Sequence, residues 1–417
     1  MTMPQTRHYE MKDSGVEWIG KMPSNWQVKY LFQLVSQVKN KNNGLREKNL
    51  LSLSYGKIKR KDIETTDGLL PASFDGYNII EEGDIVMRLT DLQNDHTSLR
   101  IGRATERGII TSAYTTVRPS KETSPFLYLA LHSFDVKKGF YGMGAGVRQG
   151  LNYGEVKKVL VPVPPLSEQT AIAAYLDEKC ATIDAIIAEA KASIEEYKSW
   201  KASVIFETVT KGLNPNAEMK DSGVEWIGEI PSHWDTSRIK NECINLDSLR
   251  EPISAENRIN INRLYDYYGA SGVIDKIDDY NVDDTVILIG EDGANLVFRN
   301  LPLVYRASGK FWVNNHAHIL KVKEKNDYGF MAYMLEAGDY TNFITGSAQP
   351  KLTQSNLMRF PIPVPPLPEQ TAIVAYLDSK CAAIDGIILE KEELIRELEN
   401  YKRSLIFEVV TGKRRVC

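Results

Sequence analysis

The sequence predicts two mixed α/β domains separated by two long antiparallel coiled-coil helices, arranged as an internal repeat with a pseudo-twofold relation. Three observations lead there. The decapeptide MKDSGVEWIG at 11–20 returns letter for letter at 219–228. VPVPPLSEQTAIAAYLDEKCATIDAII (161–187) returns as PVPPLPEQTAIVAYLDSKCAAIDGII (363–388). The letters between these two markers diverge. Chance does not produce ten identical positions, so each half is one copy of a unit: a divergent region of roughly 150 residues followed by a similar region of about fifty.

Each element has its own signal. The divergent regions hold short β-like runs, DIVMRL (84–89) and TVILIG (285–290), between glycine-containing turns, as expected of α/β domains with long loops. The similar regions read as helices. Leu176, Ile183, Ala190, Tyr197 and Val204 recur every seven residues, with Ile172, Ile186 and Trp200 as complementary seam positions. The second copy gives Leu377, Ile384, Lys391, Leu398 and Leu405, with Ile373, Ile387, Leu394 and Tyr401. Ser167 or Pro368 opens each helix, and Gly212 or Gly412 ends it. The predicted boundaries are 1–160, 161–211, 212–361 and 362–417. If the helices pack antiparallel, the second ends beside the first domain. The apolar residues Ile187, Ile194, Ile388 and Ile395 fall off this seam and are candidates to face partner proteins.

Composition narrows the class. With 417 residues, 42% hydrophobic and 25% charged, the chain is long enough for two cores and has the balance of a soluble protein. MTMPQTRHYE lacks the apolar core of a secretory signal, so a cytoplasmic location is expected. Cys180, Cys243, Cys381 and Cys417 form no CxxC pair and read as small apolar fillers. Residues 1–160 carry a formal charge of +6 and residues 212–361 one of −6. The first domain has a cationic cluster at Lys57, Lys59, Arg60 and Lys61, suited to phosphate. In the second, Asp278, Asp279, Asp283 and Asp284 make the first half acidic. A net charge of −4 is poor for a DNA binder acting alone, and suggests that a partner contributes phosphate contacts.

Catalytic motifs fail in turn. GMGAGVRQG (142–150) lacks the third glycine of a dinucleotide loop, and His316 and His318 are too close for a helix-borne metal pair. Glu291 and Asp292 suggest a metal-dependent nuclease fragment, but no ExK arrangement completes it. What remains is polar recognition chemistry. Arg148 and Gln149, and in the second copy Gln349 and Lys351, stand on small-residue loops from which side chains can make bidentate contacts to base edges. Asn314, Asn315 and His316 form a polar tip before a strand, with Tyr114 in the equivalent place of the first copy. Arg88, Gln93, Asn94, Arg100, Arg299 and Lys310 complete the set of candidate DNA-binding residues.

The doubled DSGVEWIG with its following proline and tryptophan, and the doubled PVPPLxEQ, AYLD and Ile-Asp elements, closely resemble the specificity subunit of type I restriction–modification systems over essentially the full chain. The resemblance implies a non-catalytic subunit. Its divergent regions would be target-recognition domains, each reading half of a bipartite double-stranded DNA sequence. Its helices would set the gap and bind two methyltransferase subunits, which restriction subunits join. S-adenosylmethionine would reside on the methyltransferase partner, and ATP and Mg on the restriction partner. The alternative from another class is a DNA-modifying enzyme or metal-dependent nuclease in its own right.

Overall fold

The computed structural model describes residues 10–64, 71, 73–92, 99–141, 143, 150–258, 262–346 and 348–416. Compactness divides the chain differently from its sequence boundaries: one unit holds 1–190 with 392–417, the other 191–391. Each long helix is therefore shared between units, and each unit has a domain plus one half of each helix.

Both domains start from the same frame. Met11–Asp13 pairs with Lys21–Pro23, and Met219–Asp221 pairs with Glu229–Pro231 in the same register. The repeated decapeptide is thus the first strand and turn of a hairpin. Asp13 and Asp221 accept the amides of Gly15 and Gly223 in matching turns, while Ile19 and Ile227 are buried. The strand after each hairpin then pairs antiparallel with the strand before each long helix: Gln27–Tyr30 with Leu160–Val163, and Asp235–Arg238 with Pro361–Val364. Start and end of each divergent region are zipped together, so what lies between is an insert with fixed ends.

The inserts differ. The first carries a four-stranded antiparallel sheet in the order Val35–Gln37, Thr115–Pro119, Ile85–Met87, Ile101–Arg103, and the helix Ser124–Val136. The second carries a six-stranded sheet centred on Val282–Gly290, Val304–Val313 and Ala317–Val322, with the helix Tyr328–Ala337. The central strand Val282–Gly290 is buried over its last five residues, since Val304–Val313 and Ala317–Val322 flank it on both sides.

The long helices run Leu166–Lys211 and Leu367–Val410; the first would be about 69 Å long at ~1.5 Å per residue. Within each unit their halves pack antiparallel, but the seam is not the predicted one. The buried or half-buried rows are Leu176, Cys180, Ile183 and Ile187 against Ile395, Leu398, Lys402 and Leu405 in the first unit. In the second they are Ile194, Tyr197, Lys201 and Ile205 with Leu377, Cys381, Ile384 and Ile388. The row that complements Leu176 and Ile183 is thus displaced by four residues, not three. Ile187, Ile194 and Ile388 are consequently buried within the chain and Ile395 is half-buried, which corrects their reading as partner-facing. Ile186, Trp200, Leu394 and Tyr401 are exposed instead.

Two lysines sit in this seam. Lys402 bonds Asp184 at 2.6 and 2.7 Å, and Lys201 bonds Asp385 at 2.7 Å. Both partners recur at the repeat spacing, so this is one interaction made twice. The aliphatic stems pack in the seam while the ammonium groups reach the carboxylates, and each pair fixes the antiparallel register locally.

Each long helix ends on a glycine in the left-handed region, Gly212 at φ 73° and Gly412 at φ 71°. A Cβ on Gly412 would stand 2.2 Å from Pro23 Cδ. Gly412→Ala should therefore lower the unfolding temperature of the first unit, with a loss of at least about 1 kcal/mol. Gly386, which has open space around its Cβ position in mid-helix, should gain about 0.5–1 kcal/mol on substitution by Ala. Thermal unfolding of the two variants would show opposite shifts.

Candidate nucleic-acid interface

The repeated motifs position the recognition elements. The indole of Trp26 donates to Glu168 at 2.8 Å and that of Trp234 to Glu369 at 2.9 Å; the PPLxEQ glutamate is thus the acceptor that ties the opening hairpin to the first turn of the helix. A carboxylate there also suits the positive end of the helix dipole. The neighbouring Gln169 and Gln370 turn back to donate to the carbonyls of Pro164 and Pro365. Trp18 and Trp226 donate to the carbonyls of Leu160 and Pro361. The tryptophans, the glutamate and the glutamine shared by these motifs thus hold each insert on its frame.

In the first domain, the hairpin Leu51–Ser54 with Lys57–Arg60 rests on the cluster of Val38, Ile80, Val86 and Ile110. Lys57, Lys59 and Lys61 are exposed and have no acidic partner among the described residues. Arg60 differs, since it is held by Glu106. Tyr114 is half-buried against the same cluster. Arg88 is half-buried at the end of Ile85–Met87. Gln93, Asn94, Arg148 and Gln149 lie outside the described residues.

Arg100 is corrected. Its side chain is fully buried and donates to the carbonyls of Thr90 at 2.8 Å and Asp91 at 3.2 Å and to the Tyr141 hydroxyl at 3.1 Å. It pins a chain reversal from inside, because a buried guanidinium must spend its five donors on protein acceptors.

In the second domain, backbone bonds bring separate candidates together. Glu291 N donates to His316 O, Leu352 N to Glu291 O, and Gly293 N to Pro350 O. Asn315, His316, Gln349 and Lys351 are thereby gathered at one end of the sheet, all exposed. Lys351 pairs with Glu291 at 3.0 Å and His316 with Asp292 at 2.7 Å. Asn314 is buried, with its carbonyl oxygen accepting from His316 N, so it shapes the turn and is corrected as a contact residue. Arg299 is likewise turned inward, donating to the main chain at Glu336 and Gly338. Lys310 is exposed, its ammonium 4.4 Å from the Tyr280 ring centre.

Glu291, the residue of the nuclease alternative, is engaged by cations. Burial opposes its negative charge, but Lys351 and Arg250 outweigh this and hold its pKa below the ordinary 4.5. Sequence reasoning missed the buried support beneath it. His318 Nδ1 lies 2.6 Å from Asp247 and its Nε2 2.7 Å from the Leu352 carbonyl, tying the strand to the 349–352 segment. No local pattern announces such a pair. Tyr55 stands exposed at the two-residue turn SYGK of the 51–60 hairpin.

Two outcomes are expected. Arg100→Ala should destabilise the first unit by about 3 kcal/mol or more, removing a fully buried guanidinium and its bonds to Thr90, Asp91 and Tyr141; limited proteolysis would show the domain opened. A carboxylate with a depressed pKa stabilises the fold above its unfolded value and loses that contribution as pH falls through the folded value. The second unit should therefore lose stability below about pH 4.5. In Glu291→Gln that acid dependence should be shallower, as read by melting temperature against pH.

The profile of the type I restriction modification DNA specificity domain matches twice, over 23–196 and 231–400. A Haemophilus influenzae chain assigned as a type I restriction enzyme specificity subunit is 36% identical over 143 residues, 34% of this chain and 36% of that one. The Methanocaldococcus jannaschii MjaVIII specificity subunit is 23% identical over 95% of this chain and 94% of its own. A chain from a solved structure concerned with complex assembly and conformational transition of the type I R-M system has the same fold, with TM-score 0.70, 15% identity, and coverage of 94% of this chain and 99% of that one. With both copies of its repeat matched, the protein belongs to the type I restriction–modification DNA specificity family and is a specificity subunit, a recognition component and not an enzyme.

Proposed function

We propose that each divergent domain reads one half of a bipartite double-stranded DNA target, and that the helix pair sets the gap between the halves and docks two methyltransferase subunits. Restriction subunits would join through that methyltransferase core. The observation that carries this reading is the duplication of the frame around unlike inserts: two modules with the same anchoring and different exposed chemistry suit two different half-sites and two copies of one partner. In the first domain Lys57, Lys59 and Lys61, which have no acidic partner among the described residues, offer phosphate contacts. In the second, Asn315, His316, Gln349 and Lys351 offer donors and acceptors to base edges.

Partner docking is better served by the apolar side chains left outside the seam. These are Ile186, Leu394 and Tyr401 in the first unit, and Trp200 and Leu389, at 50% and 64% exposure, in the second. The partners supply the chemistry on this reading: S-adenosylmethionine on the methyltransferase, ATP and Mg on the restriction subunit. No helix among the described residues is long and apolar enough to cross a membrane, in keeping with work beside the DNA in the cytoplasm.

The test is to co-express the chain with its methyltransferase and map the methylated sites. A two-part motif with an unspecified gap is expected. Replacing the insert 239–360 by that of another family member should change one half only. Seven residues added after both Ala190 and Lys391 preserve the heptad and extend each helix by up to roughly 10 Å, so the gap should lengthen by at most about three base pairs. An unchanged gap in an active complex, or a motif without two separable halves, would refute the reading.

A further inference from the structure

The hairpin 51–60 ends in a turn of Tyr55 and Gly56 with positive φ at both residues, 47° and 75°. This is the turn that matches the twist of a hairpin, and it favours Asn, Asp or Gly at both places. An aromatic residue in the left-handed region is strained. Nothing among the described residues of the domain compensates: Tyr55 is 80% exposed, more than any other large apolar side chain described, and makes no hydrogen bond or ring contact with them.

The tip is nevertheless held firmly. Leu51 and Leu53 are buried and Ile58 half-buried in the domain core, and a Cβ on Gly56 would come within 3.0 Å of Leu99 Cβ. The other face of the ribbon presents Ser52, Ser54, Lys57 and Lys59. Two serines keep that face thin, and the lysines are unpaired among the described residues. A rigid, thin, cationic two-stranded ribbon with an aromatic tip has the dimensions to enter a DNA groove, and an aromatic side chain there can insert between base steps.

We propose that this hairpin is a groove-entering ribbon of the first domain, with Lys57 and Lys59 on phosphates and Tyr55 as a wedge inserted at the level of the bases. The proposal rests on the reading that the first domain binds DNA. Exposed lysines without an acidic partner among the described residues favour a polyanion over a protein partner, for which an exposed tyrosine would also serve.

The test uses the full chain in complex with its methyltransferase and a duplex carrying the mapped motif. Tyr55→Asn suits the turn better than tyrosine, so the complex should assemble and melt at the same or a higher temperature. It should bind the duplex about tenfold or more weakly, as expected when one aromatic contact to a base is lost, and relax the motif in the first half only. Tyr55→Phe should bind as the wild type does. Lys57→Ala and Lys59→Ala should each reduce the salt dependence by about one phosphate contact and leave the motif unchanged. Unaltered affinity and motif in Tyr55→Asn would overturn the wedge while the wild-type motif still stands. Failure of Tyr55→Asn to assemble with the methyltransferase would overturn it in favour of a protein contact. Absence of sequence-specific binding by the wild-type complex would overturn the functional reading, and this proposal with it.

Discussion

The tryptophan of each opening hairpin is the point on which the rest of the fold depends. Trp26 donates to Glu168 in the first turn of one helix and meets Gly412 at the end of the other; Trp234 does the same with Glu369 and Gly212. Domain start, helix entry and helix end converge on one indole. The indoles are buried, a hydrogen bond to a carboxylate is stronger than a neutral one, and the glycines let the chain end approach the ring closely. Few other side chains could be both a large apolar surface and a donor at that place.

With its ends fixed by this clamp and by the strand pair above it, the insert is released from any duty to the frame. One insert builds a four-stranded sheet and the other a six-stranded one, and each buries its own core. Opposite formal charges on the two domains follow the same freedom. On the proposed reading this separation is what lets recognition vary while attachment to common partners does not.

Much of this was legible beforehand. The repeated letters located both frames and both helices, and the heptad spacing of Leu176, Ile183 and Ala190 gave one row of the seam. Tryptophan, glutamate and glutamine in the motifs marked polar groups with fixed duties. Individual contact residues were less legible. Arg100 and Arg299 look like surface cations in the sequence, yet each is consumed by main-chain carbonyls, since an arginine can satisfy several reversals of the chain from within. Lys351 and His316 remain at the surface but are balanced by Glu291 and Asp292, a pairing made by strands far apart in sequence.

The sequence by itself determined the duplication, the α/β character of the inserts, the helix lengths and the family, because these rest on repetition and on local periodicity. Only the tertiary structure decided which residues the helices hide. Adjacent isoleucines occur at Ile186 and Ile187 and again at Ile387 and Ile388, so at those turns a row three residues on and a row four residues on are equally apolar in letters; at other turns the letters lean to the second row, with Cys180 and Ile194 against Lys179 and Ser193. Packing chose the second row, where Lys402 and Lys201 can lay their stems in the seam and reach Asp184 and Asp385. Such a choice depends on the partner helix, which no window along one helix contains.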